Sequence, residues 1–164
     1  MNRLPGEYSP DDYYLAAVSA DGNAWIIVGR RHGADELAQN MEVAQQLMQR
    51  GEQIVLLPAH AGVRTPDALR NGVAWEFKQL RSARNIPRAI EKSLLQKKGQ
   101  AARFVLHIKQ PYTRKALIRG LRKVAANSQP IDFEAVAILF PNNELRTLTR
   151  HQIENRDFSA LMES

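Results

Sequence analysis

The dipeptide Asn71-Gly72 stands between Ala68-Leu69-Arg70 and the strand-forming run Val73-Ala74-Trp75-Glu76-Phe77-Lys78. Asn-Gly readily adopts the two positive-φ conformations of a type I′ turn, whose twist suits paired strands. An antiparallel hairpin is therefore expected in the middle of the chain. The elements around it have mixed periods. From about Asp35 to Arg50, Leu37, Met41, Val43, Ala44, Leu47 and Met48 recur at three- and four-residue steps, which predicts an amphipathic helix stopped by Gly51. Gln53 to Leu57 is a short buried strand ending at Pro58. Downstream, a helix over Asn85 to Gln100 has Asn85 as its cap and Pro87 in its first turn. A strand over Phe104 to Ile108, a helix over Thr113 to Ala126 and a strand over Phe133 to Phe140 follow. Leu145 to Leu148 is a further strand before a frayed helical tail. Upstream, two apolar runs flank Asp21-Gly22-Asn23 within Tyr13 to Gly29, which predicts a first hairpin. Strands alternating with helices around a central hairpin imply an α/β protein, a mixed sheet with helices on its faces.

A chain of 164 residues is long enough for one domain with a real core and short for two. The expectation is a single domain over 1–164. No run approaches 18 consecutive apolar residues, so no membrane helix is expected, and the opening MNRLPGEYSPDDYY lacks the apolar core of a secretory signal. A cytoplasmic location follows as the expectation. With no cysteine, a disulfide frame and a thiolate metal site or nucleophile are excluded. Any metal must then be held by carboxylates or histidines.

The formal charge of +6 is unevenly distributed. Between Arg81 and Lys123 thirteen basic residues face the single acid Glu91, a net +12, which leaves −6 on the remainder. A field of that sign favours a polyanion, above all nucleic acid. In the second half of the stretch Arg114, Lys115, Arg119, Arg122 and Lys123 repeat at helical steps, giving a cationic face that can track phosphates without reading sequence.

Pro66-Asp67, eight residues and then Glu76-Phe77-Lys78 carry the chemistry. In a hairpin, a carboxylate at the start of one strand and Glu76 on its partner can converge despite nine positions of separation. Two carboxylates and the carbonyl between Glu76 and Lys78 make a hard oxygen site suited to magnesium or manganese, with zinc as a third candidate. Lys78, two positions on, points the same way as Glu76 and could stabilise charge on a phosphate. The bland alternative is a turn aspartate after proline and an exposed same-face ion pair.

A helix bearing a carboxylate, a strand, a hairpin with Pro-Asp and Glu-x-Lys, a helix and a strand is similar in order and spacing to the PD-(D/E)xK, restriction-endonuclease-like nucleases. The resemblance covers about residues 35–140 and leaves 1–34 as an extra N-terminal hairpin extension. More narrowly, Glu42-Val43-Ala44 with Leu47 and Gly51, Val55-Leu56-Leu57-Pro58, Pro66-Asp67, Trp75-Glu76-Phe77-Lys78 and Gln100-Ala101 resemble the CdiA-type C-terminal tRNA-nuclease toxin domains. The resemblance implies a metal-dependent nuclease acting on tRNA, with DNA as the alternative substrate, delivery as a toxin domain, and an immunity-type inhibitor as protein partner. It further implies Asp67 and Glu76 as metal ligands, Lys78 as the catalytic lysine, Glu42 as the helix carboxylate joining them, and Gln100 as a helix-end residue reaching the site. Glu36 is the competing helix acid. It lies six positions before Glu42, about 600° of helical rotation away, so only one of the two should point inward.

Two other readings remain. A metal-independent ribonuclease would use a histidine as general base, for which His60, in the loop before Pro66, and His107, in a strand, are the candidates. A nucleic-acid-binding module on the same fold would keep the basic face and lack the metal. No two histidines have i, i+4 spacing, and GxSxG, Walker and GxGxxG motifs are absent, so zincin, serine-hydrolase, nucleoside-triphosphatase and Rossmann readings have no support.

Overall fold

A computed structural model describes residues 3–60, 65–81, 84–95, 102–127 and 133–162. The chain forms two compact units, residues 1–76 and 77–164. Their boundary falls within one strand.

In the first unit, β1 (Tyr13–Val18) and β2 (Trp25–Gly29) form the N-terminal hairpin. Its turn is held by Asp21, whose carboxylate accepts from the Ser19 hydroxyl at 2.6 Å and the Asn23 N–H at 3.0 Å, while Gly22 takes φ +75°. Those donors hold the Asp21 carboxyl below its ordinary range, Ser19 first and Asn23 second. Helix α1 (Ala34–Gln49) then carries the chain over to β3 (Gln53–Leu56), parallel to β2, and Gly51 at φ +87° ends the helix as anticipated. β4 (Ala68–Arg70) is antiparallel to β3, and β5 (Val73–Leu80) is antiparallel to β4.

The central hairpin forms where Asn-Gly predicts it. Asn71 and Gly72 have φ of +48° and +84°, the type I′ pattern. Asn71 also ties the turn to the neighbouring strand: its side-chain oxygen accepts from the Gln53 N–H at 2.8 Å, and its own N–H donates to the Gln53 carbonyl at 2.9 Å. At Gly72 a Cβ would meet no neighbouring atom, yet an L side chain is strained at that φ. Gly72→Ala should therefore cost about 1–2 kcal/mol with no change in packing, read as a lower urea midpoint at unchanged slope.

Strand alternation gives this sheet two apolar faces. Trp25, Ile27 and Val55 share one face, over which Leu4, Tyr8, Tyr13, Leu15, Val18, Leu57 and Leu69 pack. Residues 3–12, outside the nuclease-like span of the sequence, are thus a cover for that face. Tyr8 meets the rings of Tyr13 and Trp25 edge-on at 5.1 and 6.5 Å, and Arg30 fastens the segment through the Pro10 and Asp12 carbonyls. Ile26, Val28, Ile54 and Leu56 point the other way and are fully buried, beneath Val43, Ala44 and Leu47 of α1, which lies across β2 and β3.

In the second unit, β6 (Arg103–Ile108) and β7 (Ala135–Leu139) are parallel, and β8 (Leu145–Thr149) is antiparallel to β7. Helices α2 (Ile86–Leu95) and α3 (Arg114–Asn127) pack on each other. Their core joins Ile86, Ile90 and Leu94 to Leu117, Leu121 and Val124 over Phe104, Leu106, Val136 and Ile138, with Leu80 at the end of β5 included. The Asn85 carbonyl accepts the first helical N–H, from Ala89, and the Thr113 hydroxyl caps α3 by accepting from the Ala116 N–H at 3.1 Å. The anticipated frayed tail is more ordered than that. Thr149 and Gln152 form a capping box that starts α4 (Arg150–Glu154), and α5 (Ser159–Met162) follows. Among the described residues no helix is long and apolar enough to cross a membrane.

Candidate functional site

The anticipated carboxylates stand at the end of the β3–β4–β5 ladder. Its last register pairs are Leu56 with Ala68 and Ala68 with Trp75. One step beyond, the Leu57 N–H donates to the Asp67 carbonyl at 2.9 Å, so the β3–β4 register runs on through Asp67. The same step on the other side sets Asp67 across from Glu76. Opposed residues share a face, so the two carboxyl groups issue from neighbouring positions, with Cβ atoms at a typical cross-strand spacing of about 5 Å. Glu76 is only 5% exposed, Asp67 is half-buried, and Lys78, on the same side of β5, is exposed. A buried carboxylate on the outer step of a ladder is an expensive arrangement unless its charge is engaged. Glu76 does make polar or electrostatic interactions, as do Asp67 and Lys78.

Three hydrogen bonds anchor the end of this ladder. The His32 Nδ1 lies 2.7 Å from the Leu57 carbonyl, and the Asn40 amide nitrogen lies 3.0 Å from His32 Nε2. A carbonyl can only accept, so Nδ1 donates to it, and Nε2 is left to meet the Asn40 amide. His32 and Asn40 are buried, at 8% and 3% exposure. Together with the Leu57-to-Asp67 bond they form one chain from α1 through the end of β2 to the first carboxylate. Gly29, just before this turn, admits no side chain: a Cβ there would lie 2.8 Å from Pro58. Nothing in the sequence marked His32 or Asn40, because their partnership depends on the β2–α1 turn and not on any spacing motif.

The helix carboxylate requires a correction. Buried Asn40, Val43, Ala44 and Leu47 define the sheet-facing stripe of α1. At about 100° per residue, Glu42 stands roughly 200° from Asn40, on the solvent side, and it is exposed. Moreover, α1 covers the sheet face opposite the one Asp67 and Glu76 share. Glu42 therefore does not join them. Glu36, also exposed, lies within roughly 40° of the Asn40 azimuth, in the first turn of α1 beside the His32 anchor. Among the described residues no three His, Asp or Glu side chains gather as a metal cluster. Two carboxylates are a donor set that a hard, water-rich ion such as magnesium accepts, since such an ion keeps several of its waters.

His60 is exposed in the loop after β3, and His107, on β6 opposite Leu139, is 7% exposed. Gln100 lies outside the described residues. Trp75 is core: it is 9% exposed, and the Arg70 guanidinium sits 4.3 Å from its ring centroid while pairing with Glu52 through two bonds of 2.8 and 2.9 Å. In the second unit, Arg114, Lys115, Arg119, Arg122 and Lys123 are all exposed on α3, as the helical spacing predicts. Four of them, with Ile118 and Met162, line a concavity of about 400 Å³.

No curated protein matches the chain. The solved CdiA-CT/CdiI toxin and immunity complex from Burkholderia pseudomallei is similar to it, with a TM-score of 0.51 and 21% identity over 70% of this chain and 85% of the matched one. At that identity the likeness speaks to the fold alone. A family model described as the contact-dependent growth inhibition CdiA C-terminal domain matches residues 64–145, a span that contains Asp67, Glu76, Lys78 and α3. Since that span is half of the 164 residues, the chain belongs to the contact-dependent growth inhibition CdiA C-terminal domain family.

Proposed function

We propose that this chain is a toxin domain that hydrolyses nucleic acid as a metal-dependent nuclease of the restriction-endonuclease-like class, with tRNA as its substrate and DNA as the alternative. The observation that carries this reading is the continued ladder: Asp67 across from Glu76, with Lys78 on the same side of β5. Asp67 and Glu76 would hold a magnesium or manganese ion, which when bound supplies Lewis-acid activation of the phosphate and of water. Lys78, exposed on β5, would bring its ammonium to a phosphate oxygen and offset the charge that builds there. Neither helix acid is assigned to the site, since α1 covers the sheet face opposite the one that Asp67 and Glu76 share. The exposed cations of α3 attract the phosphate backbone, which should make binding fall steeply with salt. The similar structure, a toxin and immunity complex, supports an immunity-type protein as the inhibitor of this chain.

The test is to incubate the purified protein with tRNA, single-stranded DNA and duplex DNA, each with magnesium, manganese, zinc or chelator. Cleavage of tRNA with magnesium or manganese, abolished by chelator, is the expected result. Cleavage that persists in chelator would refute the metal-dependent reading and point to His60 or His107. Binding of all three substrates without cleavage under any metal would leave a binding module on this fold.

A further inference from the structure

The concavity on α3 has a composition that phosphate tracking alone does not explain. Four cations line it, Arg114, Lys115, Arg119 and Arg122, together with two apolar side chains, Ile118 and Met162. Met162 is 59% exposed, one of only two large hydrophobic side chains so exposed among the described residues. It is held in position: the Arg114 guanidinium donates to the Met162 carbonyl at 3.1 Å and ties α5 to the start of α3. Among the described lining residues every charge is positive. At about 400 Å³ the volume falls in the range of small-ligand pockets.

A duplex offers such a surface its phosphates and keeps its bases stacked and paired, away from the two apolar side chains. An acidic protein surface must bring a carboxylate and an apolar side chain from separate residues to meet the two chemistries. An unpaired nucleotide offers both chemistries at once, a flanking phosphate on each side for the cations and a base face for the thioether and the isoleucine. We propose that this concavity takes one unpaired nucleotide of a nucleic-acid strand, its base against Ile118 and Met162 and its phosphates on Lys115, Arg119 and Arg122. The proposal rests on the nucleic-acid reading above and narrows it: the bound segment is a loop, bulge or end.

The experiment measures equilibrium binding in chelator, so that cleavage does not intervene, with a labelled single-stranded RNA oligonucleotide, the blunt duplex of the same sequence, and the single strand with abasic positions. Wild-type protein should bind the single strand about five- to tenfold more tightly than either the duplex or the abasic strand. Met162→Ser, a surface change whose folding is checked by its melting curve, should erase that preference. Arg119→Ala with Arg122→Ala should weaken all three ligands alike and flatten the salt dependence. Equal binding of single strand and duplex, or a preference that survives Met162→Ser, overturns the base pocket and leaves the nuclease reading standing. Failure of the wild-type protein to bind any of the three overturns both.

Discussion

Glu76→Gln should abolish cleavage while leaving the protein folded. Gln has the same shape, and Glu76 is nearly fully buried at 5% exposure, so the substitution removes a charge without opening a cavity. Loss of one of two opposed carboxylates should reduce single-turnover cleavage by at least about a hundredfold, the scale on which positioned acid, base and electrostatic groups act. Lys78→Ala should have an effect of the same order by a different route, since Lys78 is exposed and its loss alters no packing. Both variants should keep their salt-sensitive binding to substrate. Glu42→Gln and Glu36→Gln, both exposed on a helix that covers the opposite sheet face, should cut at close to the wild-type rate. Wild-type rates in both Glu76→Gln and Lys78→Ala would move the chemistry away from this ladder altogether.

Gly120→Ala should destabilise the second unit, although alanine is ordinarily favoured over glycine in a helix by about 1 kcal/mol. The reason is a close crossing. A Cβ on Gly120 would stand 2.8 Å from the Pro87 Cα and 3.2 Å from the Pro87 carbonyl oxygen, both backbone atoms of α2, with the Ile90 side chain at 3.5 Å. Backbone at that distance cannot turn aside as a side-chain tip can, so α2 and α3 must separate and lose part of the contact among Ile90, Leu94, Leu117 and Leu121. Overpacking of this kind costs about 1–3 kcal/mol, which should lower the melting temperature by several degrees. A variant as stable as the wild type, or more so, would show that the two helices do not meet at Gly120.

The elements that sequence reasoning located best are those whose signal is local. Asn71-Gly72 dictates its turn from two residues, and the apolar steps from Leu37 to Met48 dictate α1 from one face. The carboxylate pair was legible for the same reason: once the hairpin is granted, counting outward from the turn brings Asp67 level with Glu76. The tail was misjudged although Thr149-Arg150-His151-Gln152 carries a capping-box pattern, because a five-residue helix has too little periodicity to stand out. Glu42 was drawn in by a family resemblance, although the apolar steps from Leu37 to Met48 already set it on the far side of α1 from that stripe. Which sheet face the stripe covers is a further matter, decided by the β2–α1–β3 crossover. Residues 3–12 were opaque in the same way, since Leu4 and Tyr8 find their partners on strands they do not adjoin in sequence.

The His32 anchor makes the first carboxylate answerable to a helix. Asn40 on α1, His32 in the turn before it, Leu57 beyond the end of β3 and the Asp67 carbonyl are joined in series by three hydrogen bonds. If α1 slides, the imidazole moves with Asn40 and draws the end of the strand after it. The position of Asp67 is thus set from α1 as well as from its own hairpin, and a substitution that loosens α1 would blur the carboxylate pair without touching either carboxylate.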